Sequence, residues 1–452
     1  MNVFYRKKVL VLGGGISGVG VAKVLAQCGA FVVLSDNKKT KAIQDAESEL
    51  LTTGVLFAFG EQNETLLDCV DYLVLSPGIS LYSALPQLAT ARGIEVISEI
   101  EVAYRLCNIP LIAITGTNGK TTTTALLGEL LKASGYNTVI GGNIGAALSL
   151  EITNNTQADV VVAEISSYQL EAAREFRPNI AAILNLTPDH LERHKTMEEY
   201  LAMKAKIFAR QRPTDFLVLN YDDEKLRILA ATAVSKVIWF SRHERLERGV
   251  FIKNGQIVIA SGDKVIELMH ISELKLFGAH NVENVLAAVT CAYLFGANLN
   301  AMVNALRSFA GVEHRIEWVR EFAGINFYND SKATNPESTI PALLAFDQPI
   351  ILLAGGKDKN TALDELMQLV HDKKVRMIIF GEAASRFAMA ARAAMVVSVT
   401  ETVDLASALK MAMGTARTGD VVLLSPACAS YDQYNNFEER GRHFKQLVNE
   451  LE

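Results

Sequence analysis

Short apolar runs that stop at glycine or a small polar residue recur along the chain, and most lead into stretches with helical spacing. Val9–Leu12, Phe31–Leu34, Tyr72–Leu75 and Glu95–Ile97 read as strands covered on both faces, because they carry apolar residues without polar alternation. Val19–Cys28 and Ile100–Cys107 read as helices beside them. A second series comprises Pro110–Ile114, Thr138–Ile140, Asp159–Ala163 and Ala181–Leu186, followed by an amphipathic helix over Met197–Arg210. Between Phe216 and Leu276 the strands are short and turn-rich, and Asn254-Gly255 has the composition of a tight hairpin turn. A third series, Ile325–Tyr328, Ile350–Ala354, Met377–Phe380 and Val421–Leu424, alternates with helical segments. Strand and helix in alternation predict an α/β chain of parallel sheets.

The strand ends carry the chemistry. Pro110–Ile114 breaks into Gly116, Thr117, Asn118 and Gly119 and then opens a helix at Lys120, Thr121 and Thr122. Successive backbone N–H groups of such a turn converge on one point, where a helix N-terminus adds partial positive charge and a lysine a full one. Phosphate is the natural occupant: Lys120 reaches the β- and γ-phosphates, and the Thr121 hydroxyl is a ligand for the accompanying Mg²⁺. The turn is about two residues shorter than the usual G-x-x-x-x-G-K-[ST], with Ile114 where that pattern needs glycine.

Val9–Leu12 runs into Gly13, Gly14, Gly15, Ile16, Ser17 and Gly18, a G-x-G-x-x-G turn, and Asp36 ends the next strand, where a ribose hydroxyl is gripped in dinucleotide folds. Alone, that pair reads as a dehydrogenase; a separate phosphate loop is something a hydride-transfer enzyme does not need. The Ser76-Pro77-Gly78-Ile79 turn is either a second wall of that site or a plain strand-to-helix turn. Asn143 is flanked by glycines, Glu164 ends a buried strand, and Thr187, Pro188, Asp189 and His190 follow another. A carboxylate ending a buried strand is costly unless a cation meets it, and beside a phosphate loop Mg²⁺ is that cation. Asn281 and Asn284 lie on adjacent turns of one helix and suit amide contacts to an adenine edge, with helix capping by Asn281 the competing reading. Asp330 suits ribose hydroxyls, and Arg315 and Lys332 offer charge to a γ-phosphate or an acyl phosphate. Read from its own helix, Lys204 is an ordinary solvated cation.

The motifs and their spacing give an α/β fold of three domains: an N-terminal Rossmann-like unit over residues 1–98, a central P-loop ATPase-like parallel-sheet domain over 99–310, and a C-terminal doubly wound Rossmann-like domain over 311–452. At 452 residues, half of them hydrophobic, the chain can bury several cores. Its net charge of −6, with acids and bases interspersed, excludes the dominant basic surface of a nucleic-acid binder. Five scattered cysteines without metal-ligand spacing point to a reducing cytoplasm, and no stretch reads as a signal peptide or membrane span.

The TGTNGKTT turn resembles the nucleotide site of the Mur ligases and the related folylpolyglutamate synthases, and the NDSKATNP turn and SPACASYDQYNNFEERG tail resemble the D-glutamate-adding branch of the Mur ligases. The resemblance implies an ATP-dependent ligase of cytoplasmic peptidoglycan precursor synthesis, acting as a monomer, that joins D-glutamate to UDP-N-acetylmuramoyl-L-alanine through an acyl phosphate. It implies that the first domain holds UDP through Gly15, Ile16, Ser17, Asp36 and Gly78, and that Asn143 and His190 lie near the muramoyl group and metal. It further implies that Glu164 binds Mg²⁺ and that Lys204 is carbamylated by CO₂ and helps His190 hold a second Mg²⁺. Thr334, Lys359, Ser430 and Phe437 stand where the family holds D-glutamate, and Lys120, His190, Lys204 and Lys332 carry the reaction. Three ligands on three domains imply closure that keeps water from the acyl phosphate. Another Mur ligase, a folylpolyglutamate synthase, and a nucleotide-binding regulator without ligase chemistry remain as alternatives; a pterin substrate would call for a different first domain.

Overall fold

Twenty strands form three sheets in a computed structural model that describes residues 2–60, 62–187, 191–276, 278–358 and 360–452. The first sheet holds β1 (Lys8–Leu12), β2 (Phe31–Asp36), β3 (Leu56–Phe59), β4 (Tyr72–Leu75) and β5 (Glu95–Ser98), in the spatial order β3-β2-β1-β4-β5 and all parallel. Order reverses between β1 and β4, which opens a crevice at their carboxyl ends.

The second sheet holds β6 (Leu111–Thr115), β7 (Thr138–Gly142), β8 (Val160–Glu164), β9 (Ile180–Ile183), β10 (Phe216–Asn220), β11 (Lys236–Ser241), β12 (Arg248–Lys253), β13 (Gln256–Ser261) and β14 (Lys264–His270). Its order is β14-β13-β12-β11-β10-β9-β6-β8-β7, parallel from β7 to β12, with β13 and β14 added antiparallel. Asn254 and Gly255 turn the β12–β13 hairpin at φ of +50° and +76°, as a two-residue turn with both centres left-handed requires. β6 sits between β8 and β9, so Ile114 lies beside Glu164 and Thr115 beside Ile183.

The third sheet holds β15 (Glu317–Phe322), β16 (Ile325–Asn329), β17 (Ile350–Gly355), β18 (Arg376–Phe380), β19 (Val399–Glu401) and β20 (Val421–Leu424), ordered β15-β16-β20-β17-β18-β19. All neighbours are parallel except β15 with β16. The chain divides into two compact units, Met1–Leu274 with His280–Ser308 and Lys275–Ala279 with Phe309–Glu452, so the first two sheets share a unit.

The apolar strands are buried on both faces, as in Leu111–Thr115, Val160–Glu164 and Val421–Leu424. The helix expected over residues 197–210 is shorter, Met197–Ala205. Beyond it, Ile207, Phe208 and Ala209 donate to carbonyls three residues back, at 3.1, 3.1 and 3.3 Å, so the last turns tighten. The helix after the first glycine turn starts earlier than its pattern indicates, at Ile16 rather than Val19. No helix among the described residues is long and apolar enough to cross a membrane.

Candidate active site

The phosphate turn is built by two glycines. Gly116 and Gly119 have φ of +156° and +82°, and Gly119 caps the helix Lys120–Ala133 in the left-handed conformation, which side chains with a Cβ adopt at a cost. Asn185, just past β9, fixes the turn from outside: its Oδ1 accepts from Thr117 N at 3.1 Å and Asn118 N at 2.9 Å, and its Nδ2 donates to Asn118 O at 3.2 Å. Lys120 Nζ folds back onto Gly116 O at 3.0 Å and Thr117 O at 2.7 Å. The Thr121 and Thr122 side chains are buried. On the outer side, Thr123 donates to Asn284 Oδ1 at 3.3 Å, and Asn284 Nδ2 donates to Asn281 Oδ1 at 3.0 Å. A Cβ at Gly119 would overlap the Asn284 amide, so glycine is required there twice over. Asn284 therefore abuts the phosphate turn with Asn281 behind it, and Asn281, inside a helix that starts at Ala279, is not its cap.

Lys204 is not a solvated cation. It is 1 % exposed, its Nζ donates to Gly116 O at 2.8 Å, and it lies 4.5 Å from the centre of the Tyr200 ring. Two lysines from different helices thus meet on one carbonyl of the phosphate turn. One strand over, Glu164 is 2 % exposed; its Oε1 accepts from Asn143 Nδ2 at 3.0 Å, whereas its buried Oε2 has no hydrogen-bond partner among the described residues. An orphaned carboxylate oxygen beside a phosphate loop fits a divalent cation. Gly142, with φ of +104°, lets Asn143 approach: a side chain there would strike Glu164 O. Thr187 accepts and donates around Thr117 Oγ1, and His190 lies outside the described residues.

In the first sheet the glycine turn is closed by its neighbours. Asp36 Oδ2 accepts from Gly14 N at 2.7 Å and Oδ1 from Lys38 N at 3.2 Å; Thr40 Oγ1 donates to Gly14 O, and Ser76 Oγ to Gly13 O at 2.7 Å. Asp36 therefore shapes the turn itself. Gly15, Ile16 and Gly78 are exposed, Ser17 is half-buried, and a Cβ at Gly15 or Gly78 would meet open space, so the crevice side is clear.

Arg193, which has no sequence signal of its own, ties the SPGI turn of the first sheet to the segments around the second. Its Nε and Nη2 bond Glu171 at 2.6 and 2.7 Å, its Nη1 and Nη2 reach Pro77 O and Ile79 O at 3.2 and 3.1 Å, and it lies 4.2 Å from the Tyr168 ring centre. Close by, His194 Nε2 and Ser167 Oγ are 2.9 Å apart. Deeper in the same junction, the fully buried Glu101 carboxylate accepts from the amides of Arg174, Glu175 and Phe176 at 2.9–3.0 Å and from Arg105 Nε at 2.9 Å.

In the other unit, Arg440 organises the strand-end loops. It is fully buried in the last helix, Phe437–Asn449, and bonds only hydroxyl and carbonyl oxygens: Ser331 Oγ at 3.0 Å, Ser331 O at 2.9 Å, Cys428 O at 3.1 Å and Ala429 O at 3.1 Å. Burial holds its guanidinium down at about 10. It fixes both the loop of Lys332 and Thr334 and the loop of Ser430, which is buried; the half-buried Phe437 ring lies 5.7 Å from Lys332 Nζ. The signal was there: Arg440 shares the inner face of its helix with Gly441, Phe444 and Val448. Asp358 is paired with Arg386 at 2.6 and 2.7 Å and Lys357 with Glu382 at 2.6 and 2.9 Å; Lys359, the next residue, lies outside the described residues. His314, Glu313 and Glu317 could converge on a metal, but Lys445 already bridges both carboxylates at 2.7 and 2.8 Å.

Asp330 accepts from Ser425 Oγ at 2.7 Å and Ile316 N at 3.2 Å; burial pushes its carboxyl from 3.8 up to about 7, against the pull of Arg315. A raised folded value stabilises the fold fully below 3.8, and that contribution is lost as pH rises through about 7. Asp330→Asn is therefore expected to flatten the fall in urea midpoint expected of the unaltered chain between about pH 4 and pH 7. An unchanged slope would mean that Asp330 titrates as an ordinary carboxylate.

Family models match in three consecutive stretches: the Mur ligase MurD-like N-terminal domain over residues 7–98, the Mur ligase middle domain over 114–292, and the Mur ligase glutamate ligase domain over 314–428. The chain belongs to the Mur ligase family, a class of three-domain α/β ligases. Within it, the chain is 46 % identical over 452 residues, 99 % of each chain, to the UDP-N-acetylmuramoylalanine--D-glutamate ligase of Caldanaerobacter subterraneus subsp. tengcongensis. It is 44 % identical over 447 residues, 98 % of each chain, to the ligase of the same name from Thermoanaerobacter sp. (strain X514). Among solved structures, the UDP-N-acetylmuramate-alanine ligase MurC of Thermotoga maritima superposes with a TM-score of 0.61 at 18 % identity, covering 98 % of this chain and 99 % of that one. The MurF ligase of Thermotoga maritima in complex with ADP superposes with a TM-score of 0.59 at 17 % identity, covering 92 % and 95 %. These two report the fold alone.

Proposed function

We propose that this chain uses ATP to join the amine of D-glutamate to the terminal carboxylate of UDP-N-acetylmuramoyl-L-alanine, a step in making the peptidoglycan precursor. The observation that carries this reading is the phosphate turn, where Lys120 and Lys204 meet on Gly116 O one strand away from the unpartnered Glu164 Oε2. A carboxylate is a poor acylating agent, and its mixed anhydride with phosphate is a good one. The substrate carboxylate attacks the γ-phosphorus, an acyl phosphate forms and ADP leaves. The free amine of D-glutamate then adds to the acyl carbon, giving a tetrahedral intermediate that expels phosphate.

Gly116 to Gly119 cradle the phosphates with backbone N–H groups, and Lys120 turns from the turn's own carbonyls to the charge on the transferred phosphoryl group. Asn281 and Asn284 border the nucleotide, while Arg315, Asp330 and Lys332 serve its ribose and phosphates. Thr121 and Glu164 would hold Mg²⁺, and His190 and a carbamylated Lys204 would hold a second ion; the metal would supply positive charge against the phosphates. Carbamylation replaces the Lys204 ammonium, which a neighbouring cation would repel, with an anion. Gly15, Ile16, Ser17 and Gly78 line the UDP crevice that Asp36 shapes, and Asn143 meets the muramoyl end. Thr334, Lys359, Ser430 and Phe437 hold D-glutamate, Thr334 and Ser430 on loops that Arg440 fixes. These roles divide the chain at residues 98/99 and 310/311.

The test is ADP release with UDP-N-acetylmuramoyl-L-alanine, ATP and one amino acid at a time. Turnover is expected with D-glutamate; preference for L-alanine or a diamino acid would assign the chain to another ligase. In the same assay, Lys359→Ala is expected to raise the KM for D-glutamate roughly 10- to 150-fold, the worth of one charge-assisted hydrogen bond, and to leave the KM for ATP nearly unchanged. A loss that falls on ATP instead would remove Lys359 from the amino-acid site.

A further inference from the structure

A cavity of about 330 Å³ opens at the far edge of the second sheet from the phosphate turn. It lies where β10 and β11 begin, and in a parallel sheet strand starts and the loops that follow strand ends occupy opposite edges. Phe216, Ile238, Ile259 and Leu294 supply an apolar wall, and Lys236 and Arg248 stand at its rim. No Asp or Glu is among its lining residues, and both cations are exposed, Lys236 resting 5.4 Å from the Phe216 ring centre. A volume of this size, an apolar wall and one-sided charge are the attributes of a small-molecule site rather than of a packing defect. A packing defect would be closed and uncharged. The complementary ligand has a flat or branched apolar body and a single anionic group.

The cavity also touches the nucleotide end of the molecule through one element. Leu294, with Thr290 and Tyr293, closes the cavity from the helix Ala279–Phe295, and the other end of that helix presents Asn281 and Asn284 to the phosphate turn. The span from Asn284 to Leu294 is about 15 Å along the helix axis. Val285, Leu286, Ala288, Val289 and Ala292 are fully buried between them, so the helix is tightly packed along the stretch that joins its two ends. At its end Tyr136 OH donates to Gly296 O at 3.3 Å, linking it again to the segment that follows the phosphate-turn helix.

We propose that this cavity binds an amphipathic monoanion, a carboxylate or sulfonate on an aromatic or aliphatic body, and that its occupancy changes nucleotide affinity through the helix Ala279–Phe295. The binding half stands by itself; the coupling half rests on the phosphate turn taking ATP. The test uses the whole chain and the fluorescent probe 8-anilinonaphthalene-1-sulfonate, with its uncharged counterpart N-phenyl-1-naphthylamine. One saturable site is expected. The charge-reversed variant Lys236→Glu/Arg248→Glu should weaken the sulfonate about tenfold or more while leaving the uncharged probe nearly unaffected. Leu294→Trp, which fills the cavity, should weaken both. Sulfonate binding unaffected by either variant, or uncharged probe bound as tightly as the sulfonate, overturns the assignment. For the coupling, ATP affinity is titrated with and without saturating probe. By linkage the probe's affinity must shift by the same factor when ATP is saturating. Equal ATP affinities in both titrations overturn the coupling alone. Outright competition overturns the remote location. Failure of ATP to bind even without probe is the separate outcome that would overturn the nucleotide reading instead.

Discussion

Lys204→Ala is expected to be nearly inactive, and small carboxylic acids such as acetate or formate are expected to restore part of its rate. The side chain is buried against the phosphate turn, so the substitution leaves a hole beside Gly116 that a small anion fits. If Lys204 works as a carbamate, what the reaction lacks in the variant is a negative charge at a metal, and an added carboxylate supplies one. If Lys204 works as an ammonium, amines and not acids should rescue. Steady-state turnover with each additive separates the two, and wild-type activity that persists in CO₂-depleted buffer at the level reached with bicarbonate would count against the carbamate. The folded state is followed alongside by circular dichroism, because Lys204 also sits over the Tyr200 ring.

Lys120→Ala is expected to slow turnover roughly 10²- to 10³-fold or more, the usual cost of removing one donor aimed at developing charge. The effect should fall on kcat as well as on KM for ATP, because the ammonium gains most when the phosphoryl group is in flight. Stability should change little, since the Gly116 and Thr117 carbonyls that Lys120 binds can take water instead. Turnover within a few-fold of the unaltered chain would remove the turn from catalysis.

What was legible in the sequence follows from where polar groups interrupt apolar runs. β4 was bounded to the residue, and the phosphate-turn helix starts where glycine gives way to Lys120, because glycine, proline and acids at strand ends are local signals. Lys204 was illegible for the opposite reason. Its helix reads MEEYLAMKA, in which a lysine near the C-terminus reads as a solvated cation, and its burial against the distant turn at Gly116 has no local signal. Asn185 was hidden inside a run read as strand through Leu186, whereas the strand ends at Ile183 and frees Asn185 to clamp the phosphate turn. Arg193 and Glu171 belong to stretches with no periodicity to read, and their pairing joins segments far apart in sequence. Long-range pairs of this kind leave no trace in local spacing.

The Arg193 junction has a consequence for substrate choice. Because Arg193 grips Pro77, Ile79 and Glu171 together, and Glu101 pins the 174–176 segment, the separation between the first sheet's crevice and the phosphate turn is set by the protein before any ligand arrives. On the proposed reading, with the UDP end in the crevice and the reacting carboxylate at the phosphate turn, the pair of pockets works as a gauge. A molecule that fills the crevice but is one residue too short leaves its carboxylate stranded away from Lys120, and one that is too long carries it past. Selection by reach is separate from selection by contact, and it operates even where no side chain touches the part of the substrate being measured.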